Sequence, residues 1–146
     1  MTDCIFCKIV AGTVPSIKIY EDDLVLSFMD IYPLRRGHVL TVTKQHQQQL
    51  HLLPAETRAH LVHTAARIAA AVYGSSLKPD AVHYVVNDGP AAEQTVPHVH
   101  LHVLPRHKGD LTSFLLRLLR KPFDMALGPV AGNTLEKDAA EIRSRL

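Results

Sequence analysis

The sequence predicts an α+β fold: an antiparallel five-stranded sheet with one long helix and a C-terminal helix. Three observations lead there. Residues 98–104 alternate between histidine and aliphatic residues, the period of a strand with two different faces. Residues 17–20 and 24–29 are two apolar runs around the acidic turn Glu21-Asp22-Asp23, the pattern of an antiparallel hairpin. Residues 54–73 switch to helical spacing, with Leu61, Ala65, Ile68, Ala69 and Val72 on one stripe. Hairpin-type spacing dominates the strands, which favours an antiparallel sheet over a wound parallel one.

The elements follow in order. Residues 1–15 read as an irregular lead-in punctuated by Gly12 and Pro15, and the hairpin comes next. Residues 30–37 carry the loop residues Pro33 and Gly37 and lead to a third strand, 38–43, rich in β-branched side chains. Pro54 suits the first turn of the long helix, and Gly74 stands where a C′ glycine ends one. A fourth strand is expected over 82–87 and a fifth over 98–104, stopped by Pro105. Residues 111–119 form a short amphipathic segment, 122–132 a connector with Pro and Gly, and a last helix starts near Asn133. Asn133 and Glu136 have capping-box spacing there, and Leu135, Ala139, Ile142 and Leu146 share a face.

Composition bounds the function. The 146 residues suit one domain, 1–146, and 47% apolar with 21% charged residues is the balance of a globular chain, not a disordered one. A net charge of +2 implies no surface built to wrap nucleic acid, so no nucleic-acid partner is expected. No run approaches the roughly 20 apolar residues of a membrane span, and the N-terminus lacks a basic stretch followed by an apolar one. The expectation is a cytoplasmic protein without a membrane partner. Cys4 and Cys7 are its two cysteines and make no disulfide framework. A lone Cys-x-x-Cys is open to three readings: redox-active, metal-binding or coincidental.

Three of the ten histidines fall within five residues. On a strand, His98, His100 and His102 share one face while Val99, Leu101 and Val103 occupy the other. A single strand histidine is ordinarily structural or solvated. Three in register line a common cleft, and imidazoles are costly to bury without partners. His51, His60, His63, His83 and His107 fall outside this pattern and are assigned no function; His60 and His63 are expected to face solvent from the long helix.

The run His98-Val99-His100-Leu101-His102-Val103-Leu104 resembles the signature of the histidine triad (HIT) superfamily. Asp30-Ile31-Tyr32-Pro33, Arg36-Gly37-His38 through His46, Asn87-Asp88-Gly89 and Gln94-Thr95-Val96 extend the resemblance over residues 4–108, leaving 109–146 outside it. It implies hydrolysis or transfer at the α-phosphate of a nucleotide. His100 would attack phosphorus and form a covalent nucleotidyl-histidine that water cleaves. His98, His102 and His38 would complete the catalytic group and stabilise charge on the phosphoryl oxygens, with the Thr95 hydroxyl near the leaving group. Asp30 would grip the ribose hydroxyls, Phe28, Ile31 and Leu40 would form the base slot, and Asn87 and Gln94 would meet phosphate.

The resemblance also implies a closed structural zinc site of Cys4, Cys7, His46 and His98 in a subset of members. It implies a homodimer paired through the long helix and the strand beside it. The alanines at 59, 65, 66, 69, 70 and 71 permit close approach, and the leucines of 111–119 look like contact surface. Asp88-Gly89-Pro90 and Leu104-Pro105-Arg106 look like the dinucleoside-polyphosphate hydrolase branch; nucleoside phosphoramidases often carry Gly-Gly after the motif. The rival is a nucleotide- or partner-binding module with little turnover. A complete triad argues against that, because binding alone needs no in-line imidazole.

Overall fold

The computed structural model describes residues 3–146; the first two residues of the lead-in lie outside them. Five strands form one antiparallel sheet: β1 (Lys18–Glu21), β2 (Val25–Met29), β3 (Val39–Thr43), β4 (Ala81–Val85) and β5 (His100–Arg106), in the order β1-β2-β3-β5-β4. Four helices accompany them: α1 (Ile5–Val10), α2 (Ala55–Gly74), α3 (Leu111–Leu127) and α4 (Gly132–Arg143). The expected α+β sheet with one long helix and a C-terminal helix is the observed architecture.

The pleat sorts the core into two layers. Val25, Met29, Val39, Leu101 and Val103 face α2 and α4, meeting Leu61, Ala65, Ile68, Val72, Leu135, Ala139 and Ile142. The opposite face carries Leu26, Phe28, Leu40 and Val42, packed under Phe6 and Ile9 of α1. Register then places the histidines on that second face, since Leu40 pairs with His102 and Val42 with His100. The strand that supplies the core thereby holds the imidazoles on its other side.

Several boundaries differ from the sequence reading. The lead-in contains α1, because Phe6 and Ile9 find an apolar sheet face to bury against. Strand β5 runs through Pro105 to Arg106 instead of stopping. The Arg106 carbonyl accepts from Asp80 N on the β4 side, so Pro105 turns its missing N–H the other way. There β3 has already ended, at the Val39–Val103 pair, and no ladder bond is lost. Gly74 is the last helical residue and has no positive φ; Ser75 caps the helix end, donating from both its amide and its hydroxyl to the Val72 carbonyl. Pro54 is the N-cap residue, one position before the first turn.

The C-terminal third departs most. The segment expected to end at 119 is the 17-residue helix α3, which continues through Pro122. No side chain of α3 is buried, so its leucines do not fold back over the sheet. Polar ties hold it: Arg35 donates to the Asp110 carbonyl and the Ser113 hydroxyl, and Arg106 lies 4.0 Å above the Phe114 ring. Helix α4 starts at Gly132 with no side-chain cap; Asn133 accepts instead from Thr134 N, so the capping box is not formed. Of its expected face, Leu135, Ala139 and Ile142 are buried while Leu146 is exposed.

Candidate active site and metal-ligating cluster

Two clusters share the histidine-bearing face. The first gathers Cys4 and Cys7 from the start of the chain, His46 after β3, and His98 just before β5. Cys4 Sγ lies 3.4 Å from His98 Nδ1, Cys7 Sγ 3.2 Å from His46 Nδ1 and 3.6 Å from His98 Nδ1, and the two Nδ1 atoms are 3.3 Å apart. All four donor atoms fall within 4.8 Å of one another. Tetrahedral zinc, with its ordinary bonds to sulfur and nitrogen, needs edges of about 3.6 Å between S and N and about 3.4 Å between two N. The donor set and its spacing fit that ion. His98 Nε2 donates to the Thr43 carbonyl at 2.7 Å, which leaves its Nδ1 lone pair facing the sulfurs. Burial, then the neighbouring Cys4, raises the Cys7 thiol above its ordinary value.

The second cluster is a chain of polar groups running from Asp30 to His100. Asp30 is buried at the end of β2; its Oδ1 accepts from Tyr32 N at 2.8 Å, and its Oδ2 stands 3.4 Å from His38 Nδ1. The same Nδ1 accepts from Leu34 N at 3.2 Å, which assigns the ring proton of His38 to Nε2. That Nε2 lies 3.0 Å from His102 Nδ1, so His38 donates and His102 in turn carries its proton on Nε2. His100 is fixed oppositely: its Nδ1 donates to the His98 carbonyl at 2.7 Å, freeing the Nε2 lone pair. The His100 and His102 rings are 5.0 Å apart. The site therefore presents a nucleophilic nitrogen beside an N–H donor.

Burial keeps these rings neutral. It lowers His100 below the ordinary imidazole value, against the opposing bond to the His98 carbonyl. It takes His38, which has no exposed surface, to about 4, and it lowers His102 strongly, reinforced by the charges of His38 and His100.

The residues expected at the site distribute as follows. His38, His100, His102 and Asp30 come together. The His98 side chain joins the cysteine cluster, and its carbonyl alone touches His100. Phe28 and Leu40 pair across β2 and β3 in the buried patch beside His102, whereas Ile31 is exposed at the rim. Thr95 is exposed on the loop before β5. Asn87 donates to the Glu93 carbonyl, and both ends of the Gln94 amide are engaged, with Gly89 N and the Gln48 carbonyl. Gln94 thus ties two loops together.

Sequence reasoning missed Phe6 and Lys121. Phe6 stands between the two clusters, with its ring 5.1 Å from His100, 5.9 Å from His98 and 5.8 Å from Phe28. Its place inside the Cys-x-x-Cys was the available signal, because fixing both cysteines fixes what lies between them. Lys121 reaches Asp30 Oδ2 at 3.8 Å from α3, and no local pattern announces it.

Comparison with known proteins identifies the family and supports the fold. Residues 11–109 match the HIT domain family. An uncharacterized HIT-like protein of Mycobacterium tuberculosis (strain H37Rv) is 45% identical over 140 residues, covering 94% of this chain and 96% of its own. An adenosine 5'-monophosphoramidase of Schizosaccharomyces pombe is 37% identical over 103 residues, or 70% of this chain and 74% of its own. Among solved structures, a Zn-bound histidine triad family protein from Mycobacterium smegmatis superposes with a TM-score of 0.81 at 38% identity, covering 98% of this chain and 92% of that one. A five-stranded sheet with His100 and His102 on one strand and His98 just before it, matched in sequence and in structure, makes this chain a member of the HIT domain family.

Proposed function

We propose that the protein is a nucleotide hydrolase or transferase acting at the α-phosphate of adenine nucleotides or nucleoside phosphoramidates through a covalent nucleotidyl-His100. One observation carries the reading: a buried, neutral imidazole whose Nδ1 is held by a carbonyl and whose Nε2 is free. In the first displacement the Nε2 lone pair forms the N–P bond, and the bond from phosphorus to the leaving group breaks with its electron pair. The His102 N–H stands beside the reacting centre and stabilises charge on a phosphoryl oxygen. Water then attacks phosphorus and gives up a proton to solvent, the N–P bond breaks with its electron pair returning to Nε2, and His100 is restored. Asp30 serves as the ribose ligand, Phe28, Leu40 and Ile31 as the base slot, and Asn87 and Thr95 line the phosphate approach on loops that Gln94 ties.

The relatives named as adenosine monophosphoramidases support cleavage of a P–N bond, so phosphoramidates stand beside dinucleoside polyphosphates as substrates to assay. The test is acid-sensitive adduct trapping. Incubation with adenosine phosphoramidate and alkaline quench should give protein heavier by one adenylyl group, which mild acid removes and His100→Gly never acquires. Tight nucleotide binding with neither adduct nor turnover would instead favour the binding module.

Zinc is proposed as a structural ion held by Cys4, Cys7, His46 and His98, and it fills all four positions of a closed site. Those residues pin α1 and Phe6 against the sheet. We also propose a homodimer. Strand β4 is a sheet edge with Tyr84 and Val85 exposed, and Ala66, Ala70 and Tyr73 form an exposed face of α2. Ala65, Ala69 and Ala71 are buried in the chain's own core and belong to no such surface.

A further inference from the structure

A cavity of about 240 Å³ opens between α3 and the 32–34 loop, lined in part by Tyr32, Pro33, Leu34, Arg117, Lys121 and Asp124. None of His38, His98, His100 or His102 lines it. It adjoins the active site through Lys121, whose Nζ stands 3.8 Å from Asp30 Oδ2, and through the amides of Tyr32 and Leu34, which donate to Asp30 Oδ1 and His38 Nδ1. Arg117, one helical turn earlier, donates from Nη1 to the Pro33 carbonyl at 2.9 Å. That bond aims the guanidinium at the cavity, and its other nitrogens have no partner among the described residues. The one acidic lining residue, Asp124, has its carboxylate 3.7 Å from Arg120 on its own helix. Two cations therefore line a concave space that adjoins Asp30.

We infer that this cavity is an anion subsite for a phosphate carried on the ribose, so that the favoured ligands are nucleotides phosphorylated at a ribose hydroxyl as well as at the 5′ position. The inference rests on the reading of Asp30 as the ribose ligand. A ribose held there turns its hydroxyls toward Asp30 and hence toward Lys121. One hydroxyl bonds the carboxylate, and a phosphate ester on the other points into the cavity. Asp30 alone repels such a phosphate. Lys121 stands between the two anions and neutralises both, while Arg117 offers the fork that matches phosphate oxygens. Both cations come from residues outside the resemblance, so the preference belongs to the C-terminal segment.

Titration calorimetry on the full chain tests this with three probes: adenosine 5′-monophosphate, adenosine 2′,5′-bisphosphate and adenosine 3′,5′-bisphosphate. One bisphosphate should bind at least about tenfold more tightly than the monophosphate, the value of one charge-assisted contact. Within each of Lys121→Gln and Arg117→Gln that ratio should fall toward one, and Lys121→Arg should keep it. Circular dichroism checks that α3 persists in each variant. The subsite is overturned if neither bisphosphate exceeds the monophosphate, or if the preference survives in both glutamine variants. Absence of monophosphate binding strikes the nucleotide reading itself, a different failure.

Discussion

His100 donates from one ring nitrogen to the His98 carbonyl and leaves the other free, so in the proposed mechanism replacing it removes the nucleophile and leaves the apolar slot. His100→Ala should lower turnover by more than about 10³-fold, since loss of acid-base assistance alone costs about 10²–10⁴-fold. Nucleotide binding should stay measurable; turnover within about tenfold of the parent would show that another group attacks. Burial also sets the pH response. The reactive form is the neutral ring, and His100 is lowered from 6.5. The acid limb of kcat/KM should therefore lie below pH 6.5. A limb at or above that value would mean that the ring is solvated, contrary to its burial. At this scale the triad was legible, because a period of two places His98, His100 and His102 on one side whatever the rest of the chain does. Their division of labour was not: Thr43 and the cysteines claim His98, and His38 claims His102, across separations of 55 and 64 residues.

Helix α1 has six residues, too short to be stable by itself, and its hold on the sheet is Phe6, Ile9, the N-cap residue Cys4 and Cys7 in its first turn. Purified protein should carry about one zinc per chain. Cys4→Ser should release it and lower the melting temperature, because ion binding contributes folding free energy. Metal-free protein of unchanged melting temperature, never exposed to chelator, would defeat this assignment. The loop into β3 depends on Gly37, which has φ +77°, and a Cβ there would run into Leu77 and stand 3.2 Å from Pro105. Gly37→Ala should cost more than about 1 kcal/mol and shift His38 at the next position, read as lower stability together with lower kcat. The elements with strong periodicity, α2 and β1 to β3, were legible for the same reason: each carries its apolar face in its own sequence. Helix α1 was not, since its helicity comes from a sheet face built by residues 26–42. Helix α3 was cut short at Pro122, because proline ends most helices and the ties of Arg35, Arg117 and Lys121 that hold this one are all distant in sequence.

Across the whole molecule, folding buries neutral imidazoles that the unfolded chain protonates. His38 falls to about 4 from 6.5. Its contribution is complete above pH 6.5 and is lost as the pH falls from there toward about 4, where only the unfolded state takes up the proton. His100 and His102 shift the same way. The melting temperature should drop steadily between pH 7 and pH 5, mainly through this uptake. A flat profile over that range would contradict the buried, neutral rings. For the proposed dimer, the informative change is Ala70→Glu on the exposed face of α2 and not Ala69→Glu, which would disrupt the core. A two-fold interface meets the new charge twice, so Ala70→Glu should give monomers by light scattering. An unmodified chain already monomeric at micromolar concentration would remove the dimer.

Local chemistry determined a great deal on its own: the antiparallel sheet, the long helix and the face shared by the triad. These follow from periodicity, which does not depend on long-range packing, whereas the zinc ligand set came from the family resemblance. Tertiary structure decided what depends on distant partners. It chose which nitrogen of each imidazole carries the proton, drew His98 toward Cys4 and Cys7, laid Phe6 against His100, and brought Lys121 of α3 to Asp30. Each of those outcomes turns on a contact between residues dozens of positions apart, and a contact of that kind exists only once the sheet has closed.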